Sequence, residues 1–133
     1  MESEPSASDR RILEEQLYHA NVRATGLADG KLFAAFLRSH DGSVIGGAEG
    51  WSWGGTCYIR HLFVPAPLRR AGLGTRLMTA VEDEARAREC KQIILDTYDF
   101  QAPEFYLRLG FEPAASVANY VGIYRYLTFI KRL

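Results

Sequence analysis

Cysteine is scarce in this chain: Cys57 and Cys90 are the only two, and neither belongs to a Cys-x-x-Cys element or sits beside a paired histidine cluster. That sets aside a disulfide framework and a metal site, leaving two reduced thiols that read as small buried apolar residues. Long apolar runs are also missing. The first ten residues mix acids, a proline and arginines without an apolar stretch, so neither a secretory signal nor a membrane anchor is expected, and the expected location is cytoplasmic. Charge of one sign is missing too, since sixteen basic side chains balance sixteen acidic ones. Residues 1–60 carry six basic and eight acidic groups and residues 61–133 carry ten and eight. Neither half is cationic enough for a general nucleic-acid partner. A length of 133 residues suits one hydrophobic core and is short for two, so a single domain over 1–133 is expected, with 1–8 as a flexible leader.

What is present alternates between helical and extended patterns. Ser8 is placed to cap a helix carrying Ile12, Leu13 and Leu17 toward one side until Gly26. Leu32 to Arg38 and Val44 to Trp53 read as strands around a His40–Ser43 turn. Gly46, Gly47 and Gly50 thin the second strand, which fits either room for a ligand or a bulge and tight strand crossing. Cys57 to Val64 is another strand, stopped by Pro65 and Pro67. From Leu73 onward, Leu77, Val81 and Ala85 recur at four-residue spacing with Met78 beside them, the stripe of an amphipathic helix. Its charged pairs Glu82/Arg86 and Glu84/Arg88 need only the usual i,i+4 explanation. Lys91 to Leu95 is extended, Pro103 opens a short helix that Gly110 ends, and Phe111 starts a strand. Tyr120–Gly122 reads as a turn or crossover, and Tyr124 to Lys131 alternates as a final strand.

Between the strand ending Leu62-Phe63-Val64 and the striped helix lies Arg69-Arg70-Ala71-Gly72-Leu73-Gly74-Thr75. Glycines let a backbone approach a ligand closely, and a helix start presents unpaired N–H groups to phosphate oxygens. It is neither a Walker A loop, which needs Gly-Lys-Ser/Thr, nor a three-glycine dinucleotide fingerprint. A second segment, Phe105-Tyr106-Leu107-Arg108-Leu109-Gly110-Phe111 preceded by Ala102, follows at a distance.

The two motifs in this order resemble the acetyl-CoA loop and the late helix-to-strand signature of the GCN5-related N-acetyltransferase (GNAT) superfamily. The resemblance runs from about Ala34 to the C-terminus. It implies an α/β fold of the α+β mixed-sheet kind, splayed between its central strands and flanked by helices. Residues 1–11 depart from the family pattern, being too polar for a convincing first strand, so that strand is expected reduced or missing, and the sheet edge this leaves is open to cover by dimerisation or within the monomer. The resemblance implies acetyl-CoA as acetyl donor, with Leu62, Phe63 and Val64 beside the pantetheine arm. The pyrophosphate would rest on the N–H groups of Arg70, Ala71, Gly72, Leu73, Gly74 and Thr75, with Arg69, Arg70 or Arg76 at the periphery. The activity implied is acetyl transfer to a primary amine of a small molecule; the alternatives are a peptide or protein N-acetyltransferase and a catalytically weak CoA-binding regulatory domain. Tyr106 matches the tyrosine that protonates the leaving thiolate in this family. For the group that takes the amine proton, Glu49, His61, Asp96 and Asp99 are candidates at central strand positions. Asp99 stands where relatives often carry asparagine; it keeps an acceptor toward the cofactor, loses the amide donor, and so is also read as organising water or the acceptor.

Overall fold

Period-two alternation of apolar and polar residues builds six strands, and a computed structural model describes all residues 1–133. The chain runs α1 (Ala7–Thr25), β1 (Lys31–Arg38), β2 (Val44–Trp53), β3 (Thr56–Phe63), a 3-10 turn at Ala66–Leu68, α2 (Leu73–Ala87), β4 (Gln92–Tyr98), α3 (Pro103–Arg108), β5 (Glu112–Val121) and β6 (Tyr124–Arg132). One mixed sheet results, ordered β1-β2-β3-β4-β6-β5. Every neighbouring pair is antiparallel except β3 and β4, which α2 links as a parallel pair. No strand precedes α1, so the reduced sheet expected from the sequence is the one present. No helix is long and apolar enough to cross a membrane.

The stripe of α2 lands where its spacing directs it. Leu77, Met78, Val81 and Ala85 are buried against Cys57 and Ile59 of β3, Ile93 and Leu95 of β4, and Phe129 of β6. Each of the larger ones, Leu, Met, Val, Ile or Phe, contributes roughly 1.5–3 kcal/mol by leaving water. Alternation sends Ile93, Leu95 and Thr97 to this helical side and leaves Ile94, Asp96 and Tyr98 on the opposite one. The helix surface carries the anticipated pairs, Arg86–Glu82 at 2.8 Å and Arg88–Glu84 at 2.7 Å.

Two local readings change, and one that was open between alternatives is decided. Ser6, not Ser8, caps α1, because its hydroxyl accepts from the Asp9 N–H at 3.0 Å. The stripe Ile12, Leu13 and Leu17 stays exposed, and α1 buries no residue. It meets the sheet through an edge-on contact of Tyr18 with Trp53 and a 4.0 Å Glu14–Arg60 pair. At the other end, β5 runs through Val121 and turns at Gly122–Ile123 into β6. This is a hairpin and not a crossover, and all ten residues of β5 are exposed.

The glycines of β2 mark close strand approach. A Cβ at Gly50 would run into the Tyr58 carbonyl, and one at Gly46 would sit 2.6 Å from the Phe63 carbonyl. Beside Gly50 the β2/β3 register slips: Glu49 faces His61 while Gly50 faces Ile59. Arg60 is the extra residue, a β-bulge.

Candidate active site

β3 and β4 pair only from Thr56↔Gln92 to Ile59↔Leu95, although β3 continues to Phe63 and β4 to Tyr98. Beyond Ile59 the strands part, and Arg60 to Phe63 have no strand partner on that side. The opening is a cleft of about 1420 Å³. Its lining divides by sheet face. On the α2 side stand Leu62, Val64, the glycine loop, Phe105 and Tyr106; on the other stand Tyr58, His61, Asp96, Tyr98, Phe100 and Tyr126.

The loop closing the first half is built for an anion. Arg70 at φ 63° and Gly72 at φ 80° both take left-handed conformations, so the chain coils before α2 begins at Leu73. The N–H of Arg69 is held by Ala66 O at 3.2 Å and that of Arg76 by Gly72 O at 3.0 Å. Between them, the six N–H groups of Arg70, Ala71, Gly72, Leu73, Gly74 and Thr75 donate to no acceptor in the protein. Consecutive free amides at a helix start, with the partial positive charge of the helix behind them, form a phosphate cradle. Gly74 keeps its wall thin, since a Cβ there would meet the Phe105 ring at 3.2 Å. Arg69 turns back, its Nε donating to Val64 O at 2.8 Å and its guanidinium lying 6.0 Å from the Phe63 ring centroid. Arg69 therefore braces the loop, while Arg70 remains exposed at the rim.

Tyr106 projects from α3 into the packing of Phe111 and Phe129 and is 8 % exposed. Burial pushes its phenol upward in pKa, so it stays protonated. No polar side-chain atom sealed from solvent lacks a partner. The Tyr106 hydroxyl, bonded to nothing in the protein, is therefore open to the cleft it lines.

The bulge assembles the next group. Both Arg60 and His61 oppose Glu49: Arg60 donates Nε at 2.9 Å and Nη2 at 3.2 Å, and His61 Nδ1 lies 2.6 Å from the same carboxylate. The hydrogen bond from Arg60, aided by His61, outweighs partial burial and holds the Glu49 carboxyl below its ordinary range. A carboxylate on Nδ1 fixes the proton there and leaves Nε2 as the acceptor. Glu49 itself does not line the cleft, whereas His61 does.

Asp96 lies deeper. Tyr58 donates to its Oδ2 at 2.6 Å and Thr128 to its Oδ1 at 2.7 Å. Burial raises its carboxyl, but the hydroxyls of Thr128, Tyr58 and Tyr126 together outweigh this and hold it below the usual range. Burial, aided by the same contact, pushes Tyr58 up to about 12. Asp99 is exposed, outside the cleft, with its N–H on Arg125 O at 3.1 Å.

Sequence reasoning thus named the loop, Tyr106, His61, Glu49 and Asp96. It missed Arg60, whose role depends on the bulge, and Tyr98 and Phe100, whose rings stack 5.2 Å apart at the cleft. Gly50 flanking Glu49 was the one sequence sign of the bulge. No group of three or more His, Cys, Asp or Glu is placed to hold a metal ion.

The model of the acetyltransferase (GNAT) family matches residues 2–111. The chain is 40% identical over 96 residues to blasticidin-S acetyltransferase of Streptomyces morookaense, covering 68% of this chain and 67% of that protein. It is 32% identical over 111 residues to an acetyltransferase of Agrobacterium fabrum, covering 84% and 81%. A crystal structure of an Agrobacterium tumefaciens protein assigned as an acetyltransferase superposes with a TM-score of 0.88 at 28% identity, spanning 100% of this chain and 97% of that one. With the splayed sheet, the amide cradle and these relatives agreeing, the chain belongs to the GNAT acetyltransferase family and is an acyltransferase.

Proposed function

We propose that this protein is an acetyl-CoA-dependent N-acetyltransferase acting on a primary amine of a small molecule, through direct transfer with both substrates bound. The observation that carries the reading is the run of six free backbone amides, which opens straight onto the gap between β3 and β4. Acetyl-CoA supplies a thioester, an activated acetyl group on a thiol leaving group. The amides of Arg70 to Thr75 would take its pyrophosphate, and the unpaired side of Arg60 to Phe63 its pantetheine arm. Val64 contributes less there than its position implies, because Arg69 already occupies its carbonyl.

His61 Nε2 is the base this geometry favours, since Glu49 orients the ring and the ring lines the cleft. It takes the proton of the incoming ammonium and leaves a neutral amine. Asp96 suits that task poorly, because hydroxyl donors on both its oxygens hold it ionised and below the usual carboxylate range. Tyr106, protonated and open to the cleft from the opposite side, hydrogen-bonds the departing sulfur and returns a proton to it. Holding both reactants in one cleft supplies much of the remaining acceleration. The relative named blasticidin-S acetyltransferase supports a small-molecule acceptor over a peptide.

The test is continuous thiol release from acetyl-CoA across polyamines, amino acids, aminoglycosides and short peptides, with the mass of each product. Amine-dependent release with an acetylated mass is the expected outcome. Saturable CoA binding with no transfer to any amine would replace the proposal with a CoA-binding regulatory domain.

A further inference from the structure

Besides His61, the half of the cleft away from α2 carries a carboxylate, Asp96, and a group of aromatic rings that the transfer steps above leave unused. Three aromatic rings, Tyr98, Phe100 and Tyr126, line it together with Asp96. Tyr98 stacks on Phe100 at 5.2 Å and meets Tyr126 edge-on at 5.9 Å, while Tyr120 lies 4.6 Å from Tyr126. The strand register puts them together: Tyr98 faces Tyr126 and Asp96 faces Thr128 across β4 and β6. Asp96 reaches the same cleft from the next position on that face.

A carboxylate beside π faces attracts a cation twice, by charge and by ring quadrupole. Which cation follows from the reaction. The amine that is acetylated must be neutral when it attacks, so a fixed anion beside it would hold it in the unreactive ammonium form. Asp96 is fixed in that sense, its two oxygens receiving Tyr58 and Thr128. It is of use to catalysis only if it holds a charge that persists throughout the transfer.

Building on the acetyltransferase reading, we propose that Asp96 and the Tyr98, Phe100 and Tyr126 rings form an acceptor subsite for a second, permanently cationic group, so that the preferred acceptors are small molecules carrying a guanidinium or ammonium in addition to the reacting amine. Asp96 and the rings are specificity determinants here, and the proton-handling groups remain on β3 and α3.

The experiment compares n-butylamine, 1,4-diaminobutane and 4-guanidinobutylamine, equal in chain length and differing in the second charge. Binding to the protein saturated with CoA is measured by calorimetry, and transfer is measured in parallel with acetyl-CoA. The two dications are expected to bind about tenfold or more tightly than butylamine, the scale of one partly desolvated cation contact. In Asp96→Asn that advantage collapses while butylamine and CoA binding stay unchanged. Phe100→Ala, at a 53% exposed position where the loss of the Tyr98 and Tyr124 ring contacts carries only a modest folding cost, is expected to weaken the dications alone by a few-fold. Equal affinity of all three amines for the wild-type protein overturns the subsite, as does a dication preference that survives both substitutions. Dication preference without any acetyl transfer would keep the subsite and remove the enzymatic reading; transfer without preference does the reverse.

Discussion

Tyr106 is the side chain in which packing and the proposed chemistry meet. Its ring belongs to the core with Phe111 and Phe129, so burial keeps the phenol protonated, while its hydroxyl opens on the cleft. Tyr106→Phe keeps the ring and removes only the hydroxyl. It is expected to lower kcat on the order of 10²-fold with the KM for acetyl-CoA and the melting temperature nearly unchanged. Steady-state kinetics over a wide pH range check this, and an unaltered kcat would remove Tyr106 from the reaction. Its place in the helix-to-strand motif was legible in the sequence because that motif is local. The partners of Glu49 were not, since Arg60 and His61 reach the same carboxylate only through a register slip between two strands.

At the scale of elements, the start of α2 depends on backbone shape. Gly72 sits at φ 80° with open space around a would-be Cβ, so a side chain there meets conformational strain and no collision. Gly72→Ala is expected to cost about 1 kcal/mol of stability and to weaken CoA binding further, because relief of the strain swings the free amides out of line. Denaturant unfolding and CoA titration of the same variant separate the two effects. An unchanged CoA affinity would show that the loop tolerates a different backbone path. The α2 stripe and its ion pairs followed from spacing alone, because helix periodicity is a property of the local chain. The exposed stripe of α1 did not, since the sequence shows an apolar side but not whether the sheet offers a surface for it.

For the molecule as a whole, the proposed function rests on the parting of β3 and β4. The two strands are held together at one end by four register pairs and kept apart at the other by the cleft. A ligand seated there would replace the missing ladder and quench the free amides. Hydrogen exchange with saturating CoA is accordingly expected to slow at residues 60–63 and 70–75, and to leave the distant β5–β6 hairpin unaffected. At a hundredfold excess over Kd such a ligand adds about 2.7 kcal/mol to the folded state. Protection confined to other segments would place the cofactor elsewhere.

The sequence by itself determined the family, the order of elements from β1 onward and the glycine loop at the start of α2, because motif and periodicity act over a few residues. Only the tertiary structure decided where β3 leaves β4, that Arg60 and His61 share Glu49, and that Asp96 lies among hydroxyls and rings from three strands. Those are pairings between residues far apart in the chain, set by register and strand twist, which no local pattern encodes.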